Sequence, residues 1–141
     1  MESKHTLRRG VARIPGEEAI LKHEPVNLAE KLARIHDYWT PGIIGELNGQ
    51  HVKLAKVKGE FVWHFHQNED ELFLVLDGTL RLELRDGVVV LGPGELYVVP
   101  RGVEHRPVAE EEVHLLMFEP ASTLNTGNVQ SEKTVKDPQR I

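Results

Sequence analysis

From Pro41 onward, apolar and polar residues alternate in short runs, and most runs end at a glycine, a proline or an acidic turn. "GIIGEL", "NG" and "QHVKLAKV" read as strand, tight turn, strand, because Asn48-Gly49 tolerates the positive φ angles of a two-residue hairpin turn. "VWHFH", "ELFLVLDG", "TLRLELRDG", "VVVLGPG", "ELYVVPRG" and "EEVHLLMFEP" continue the series to Glu119. Asp86-Gly87 is a second hairpin signal, and Gly92-Pro93-Gly94 marks a sharp turn. Arg81, Glu83 and Arg85 alternate with Leu80, Leu82 and Leu84, a polar face opposite a core face. Strands at this spacing without helices between them predict an all-β antiparallel sandwich or barrel.

The flanks follow other patterns. Residues 1–26 have no period and read as an irregular arm. "NLAEKLARIHDYW" predicts a helix, with Asn27 as N-cap, Glu30 three residues later as in a capping box, and Leu28, Leu32 and Ile35 at helical spacing. Pro41-Gly42 stops it. From about Ala121 the chain is polar and aperiodic and reads as a loose tail. The expected organisation is an arm and short helix over 1–42, a barrel over 43–120 and a tail over 121–141.

Composition narrows the function classes. The 141 residues suit one domain, and 40% hydrophobic with 28% charged residues suit a globular chain. The net charge of −5 and the lack of a basic run argue against nucleic-acid or membrane-surface partners. There is no cysteine, so any metal site must use nitrogen and oxygen donors. With no export signal to read, the cytoplasm is the expected compartment.

Such donors cluster in "HFHQNEDE". His64 and His66 are two apart, so on a strand both imidazoles point to one face. A turn through Gln67-Asn68-Glu69 would return Glu71 opposite them, on a face shared with Phe73 and Val75. A carboxylate there is costly to bury unpaired, and a cation removes that cost. "PRGVEH" adds His105 after a proline–glycine turn. Read alone, HFH fits a strand with two exposed histidines; the four positions together fit a metal site. Glu69 is a reserve ligand should the register slip, and Glu104 either faces water or supports a ligand from behind. His5, His23, His36, His51 and His114 lack matching spacings. Trp63 and Tyr97 read as packed aromatics.

At these residues the chain resembles the cupin superfamily, in particular small single-domain cupins. The first cupin motif pairs a glycine with HxH, a glutamate and a further glycine; here Gly59, His64, His66, Glu71 and Gly78 match. The second is a glycine, then PxGxxH; Gly94, Pro100, Gly102 and His105 match, and 15 residues separate Gly78 from Gly94. Two positions depart from the pattern. Gly59 is one residue closer to HxH than usual, and Ala109 stands where an asparagine often follows the second-motif histidine. The resemblance implies a double-stranded β-helix, the cupin jelly-roll barrel, with His64, His66, Glu71 and His105 holding one divalent transition metal: iron, manganese, nickel, zinc or copper. It implies a small-molecule ligand or substrate and, in many members, dioxygenase, isomerase or decarboxylase chemistry; other members only bind. "FEPASTLNTGNV" is similar to the tail of cupins described as mannose-6-phosphate-isomerase-like.

Two functions are therefore expected: a metal-dependent dioxygenase or isomerase, or a non-catalytic binding module with a structural or vestigial site. If the donors face inward, Trp63, Phe65, Leu72, Leu74 and Leu76 face outward and form an apolar patch that needs a cover. A homodimer built partly on this face is expected.

Overall fold

The computed structural model describes residues 23–141. Most of the arm expected at 1–26, including His5, lies outside the described residues. The elements are α1 (Leu28–Leu32), β1 (Gly42–Leu47), β2 (Gln50–Glu60), β3 (Glu71–Asp77), β4 (Leu80–Leu84), β5 (Gly87–Leu91), β6 (Leu96–Val99), β7 (His105–Pro120) and β8 (Gln139–Arg140). Among the described residues this is an all-β barrel with one short helix, the fold class that the alternating pattern implied.

β7 is the shared strand. One edge pairs with β2 from Val108 to Pro120. The other pairs first with β4, from His105 to Val108, and then with β3, from His114 to Phe118. β3 also pairs with β6, and β1 extends the sheet beyond β2. Alternation decides the interior. In β3, Glu71, Phe73 and Val75 are buried while Leu72, Leu74 and Leu76 are half-buried outside. In β7, Val113, Leu115, Met117 and Glu119 point inward. Leu80, Leu82, Val57 and Val99 complete the core.

Turn chemistry set the hairpins. Asn48 and Gly49 both have positive φ, 50° and 80°, and join β1 to β2 as expected. The β4–β5 turn is Arg85-Asp86, and Gly87 is already paired with Leu84, so this hairpin closes one residue earlier than Asp86-Gly87 suggested. Gly59 has φ 87° at a register shift between β2 and β7. Ala109, opposite Gly59, is fully buried in the core, so the asparagine position of the second motif serves packing here.

Three expectations change. The helix covers Leu28–Leu32 and not the whole of "NLAEKLARIHDYW". Asn27 caps it by accepting from the Glu30 N–H, but Glu30 turns its own side chain to Arg34 instead of closing a capping box. "VWHFH" is no ladder strand: its only bridge joins His64 to His105. The C-terminal segment is not loose. β8 pairs parallel with β1, Thr126 is fully buried, and Asn125 holds Lys133 O and Val135 N at 2.8 Å each.

The outward residues divide as well. The Arg85 guanidinium lies 3.8 Å over Trp63, and the C-terminal segment lies along Phe65. What remains apolar outside is a strip of Leu72 and Leu74 beside Leu96 and Val98, which are 54% and 43% exposed. Among the described residues no helix is long and apolar enough to cross a membrane.

Candidate metal centre

Three segments bring four donors to one end of the barrel. His64 and His66 sit in the connection between β2 and β3, Glu71 opens β3, and His105 opens β7. A paired bond, His64 N–H to His105 O at 3.1 Å and His105 N–H to His64 O at 2.9 Å, fixes the two histidines side by side. One ligand atom from each of the four residues lies within 4.8 Å of all the others, and all four side chains are buried. The residues singled out by spacing are thus brought together.

Hydrogen bonds aim the rings. His64 Nδ1 faces Val62 O, and His105 Nδ1 faces Val103 O, each at 2.9 Å. A carbonyl only accepts, so in both rings Nδ1 donates and a neutral ring turns its Nε2 lone pair toward the cluster. His105 Nε2 then faces Glu71 Oε1 at 3.3 Å. His66 Nε2 is 3.2 Å from the same oxygen, yet neither of its ring nitrogens has a hydrogen-bond partner. Lone pairs and a carboxylate that converge in a buried space repel one another unless a proton or a cation sits among them. Three imidazoles and one carboxylate suit a divalent transition metal, so the residues fit such an ion.

The electrostatics keep the donors ready. Burial, with His105 close by, lowers the His64 pKa to about 4, so this ring is neutral at pH 7. Burial pushes Glu71 up, but a ring proton of His105 or His66 turned to it in a hydrogen bond outweighs burial and holds the carboxyl well below its ordinary value. Glu119, one strand away, moves the other way. Burial and the Glu71 charge raise it well above the usual carboxylate range, and Lys53, 2.7 Å from its Oε2, offsets only part of that. Of the two neighbouring carboxyls, Glu71 keeps the charge and Glu119 the proton.

A cleft opens above His64 and Glu71. It is narrow, with about 30 Å³ of free space inside it. Trp39, Pro41, Phe61, Pro107 and Met117 form much of its lining, and Asn125 contributes from the C-terminal segment. Trp39 has φ 61°, rare for a bulky residue. Its indole N–H donates to Lys58 O at 2.9 Å, and its ring stacks on Phe61 with centroids 4.7 Å apart. These contacts hold the strained backbone and stand the indole as a wall.

Other sequence candidates lie elsewhere. Glu69 accepts from Ser122 Oγ, Glu104 pairs with Arg85, and His114 pairs with Glu112 on the exposed side. Tyr97, on β6, packs against the core cluster. Sequence reasoning missed Trp39, which had been placed at the end of a helix, although "WTPG" is a turn-rich stretch. It also missed Lys53, Glu119 and Asn125. Lys53 and Glu119 share a face with inward residues of their strands, which was a usable signal; Asn125 carried none.

The depressed His64 pKa links to stability. Between pH 6.5 and 4 the unfolded chain takes up a proton at His64 that the folded chain refuses, so folding weakens as pH falls through this window. From pH 7.5 to 5 metal-free protein loses about 2 kcal/mol through this group. Urea unfolding at the two values should show wild type losing that much more than His64→Gln; equal losses would contradict it.

A family model described as a cupin domain matches residues 50–119. The crystal structure of a cupin-2 domain containing protein from Shewanella frigidimarina is 45% identical, with a TM-score of 0.66, over 67% of this chain and 93% of that one. A solved protein of Neisseria meningitidis is 34% identical, with a TM-score of 0.64, over 70% of this chain and 100% of that one. The uncharacterized protein YdbB of Bacillus subtilis is 41% identical over 64 residues; these cover 45% of this chain but only 57% of that relative's length. The shared barrel, the near-complete coverage of the solved cupin-2 protein and the convergence of both histidine motifs on one buried cluster lead to one conclusion: the chain belongs to the cupin family.

Proposed function

We propose that this cupin binds one divalent transition metal through His64, His66, Glu71 and His105 and activates a small, largely apolar, oxygen-bearing molecule there. The observation that carries the reading is the cleft, which has two of the four donors in its floor and apolar walls around them. Bound there, the metal supplies Lewis-acid or redox activation of an oxygen donor. The chain's own part is to orient His64 and His105 through Val62 and Val103, to keep His64 deprotonated, and to exclude water with Trp39 and Phe61.

The lining also bears on substrate. Among the described residues no lysine or arginine lines the cleft. A phosphorylated sugar would find no cation for its phosphate. This favours dioxygenase-type chemistry on an apolar frame over isomerisation of a sugar phosphate. A second reading is a non-catalytic binding module. It draws on the lining of the cleft, where among the described residues no acid–base side chain stands beyond the donors themselves.

Elemental analysis of tag-free protein from metal-replete medium should find about one transition metal per chain. His105→Ala should lose most of it and His114→Ala should keep it; equal retention in the two variants would overturn the assignment. In a Trp63→Phe background, where Trp39 is the remaining indole, catechol should quench the fluorescence of metal-loaded protein and mannose 6-phosphate should not. The opposite order would refute an apolar ligand.

We propose, too, that a second copy of the chain covers the outer strip of Leu72, Leu74, Leu96 and Val98. Light scattering at micromolar concentration should report a dimer, and a monomer would count against it.

A further inference from the structure

We infer that the C-terminal segment is a positioning element of the metal centre: through Asn128 and Gly127 it takes the place of a neighbouring strand for "HFH" and fixes the two imidazoles which that stretch carries. The inference rests on the metal reading above. It concerns residues beyond the matched cupin domain, which ends at residue 119.

Phe65 is the one residue between two donors, so any rotation of its peptides swings both rings. No ladder holds it. On one side the stretch is tied by the His64–His105 pair and by Gly102 N–H donating to His66 O at 2.8 Å. On the other side both backbone groups of Phe65 go to a single residue. The Phe65 N–H donates to Asn128 Oδ1 at 2.9 Å, and the Asn128 N–H donates to Phe65 O at 3.1 Å. Together these contacts give every residue of the stretch at least one backbone anchor.

Two observations make this clamp specific. Gly127 has φ 56°, and a Cβ there would collide with the Phe65 carbonyl and come within 3.1 Å of His64 Cδ2. Only a glycine lets the segment lie flat against the ligand ring. His66, unlike His64 and His105, has no partner on Nδ1. Nothing steers its ring through that atom, so its aim depends on the backbone that Asn128 holds. The segment is itself firm: Thr126 is buried and bonded to Thr134 at 2.7 Å.

The test compares wild type, Asn128→Ala and Asn128→Asp, which retains a side-chain acceptor. Each is loaded with Zn²⁺ alone, and release into excess chelator is timed. Asn128→Ala should release zinc at least about tenfold faster, the scale on which supporting residues act on a metal site. Asn128→Asp should stay within about threefold of wild type. Both variants should still melt cooperatively without metal, which a general loss of structure would not allow. Folded Asn128→Ala that releases zinc at the wild-type rate overturns the proposal.

Amide exchange at Phe65, followed by NMR in metal-free wild-type protein, gives an independent reading. Protection comparable to that of the His64 amide supports the clamp, and exchange as fast as a free amide overturns it, whether or not the alanine variant folds. Wild-type protein that takes up no zinc would instead overturn the metal reading, leaving the clamp to be judged by the Phe65 amide.

Discussion

Everything at this end of the barrel depends on one constraint: three imidazoles and a carboxylate share one buried space. Donors of that kind repel when crowded together and desolvated. The fold keeps them in place with bonds made elsewhere. The Val62 and Val103 carbonyls accept from the Nδ1–H groups of His64 and His105, and the His64–His105 backbone pair sets the spacing. The barrel stores an arrangement that is unfavourable for the side chains alone and favourable once positive charge enters. This is the physical meaning of a preformed cation site.

The polarity continues inward. Glu71 stays anionic through hydrogen bonds from His105 and His66, its neighbour Glu119 carries a proton, and Glu119 is held against Lys53 by a fully buried bond. One negative charge therefore faces the donors, and the remaining charge is retired into the interior. Outward, the environment changes abruptly to Trp39, Phe61, Pro107 and Met117. A ligand between these two environments meets polar donors below and apolar walls around it, which is the usual division of labour in small-molecule sites.

Much of the barrel was legible in the sequence because strand patterning has a short period and hairpin turns need particular residues. Asn48-Gly49 announced its turn, and the alternation of β3 announced which side chains go inside. The donor set was legible for the same reason: two histidines at the spacing of two, and a glutamate and a histidine each following a turn. What could not be read depends on non-local packing. "VWHFH" looks like a strand, but its neighbour on one side is a segment far along the chain and not a ladder. Trp39 departs from helix because its indole finds Lys58 O and Phe61, which no local propensity encodes. The C-terminal residues resemble a tail in composition because their partners are backbone groups of the barrel, and backbone groups leave no mark in a sequence.

The bond between Phe65 and Asn128 spans 63 positions. Contacts at such separations close late in folding, after local hairpins have formed, because the entropy of a long loop must be overcome first. During synthesis Asn128 leaves the ribosome well after both histidines of "HFH" have emerged. A nascent chain thus exposes four competent ligands before it can hold them in one geometry. If the site takes a metal, correct capture would be a late event coupled to the final closure of the chain, and free ions met before then would find a floppy, unselective chelator.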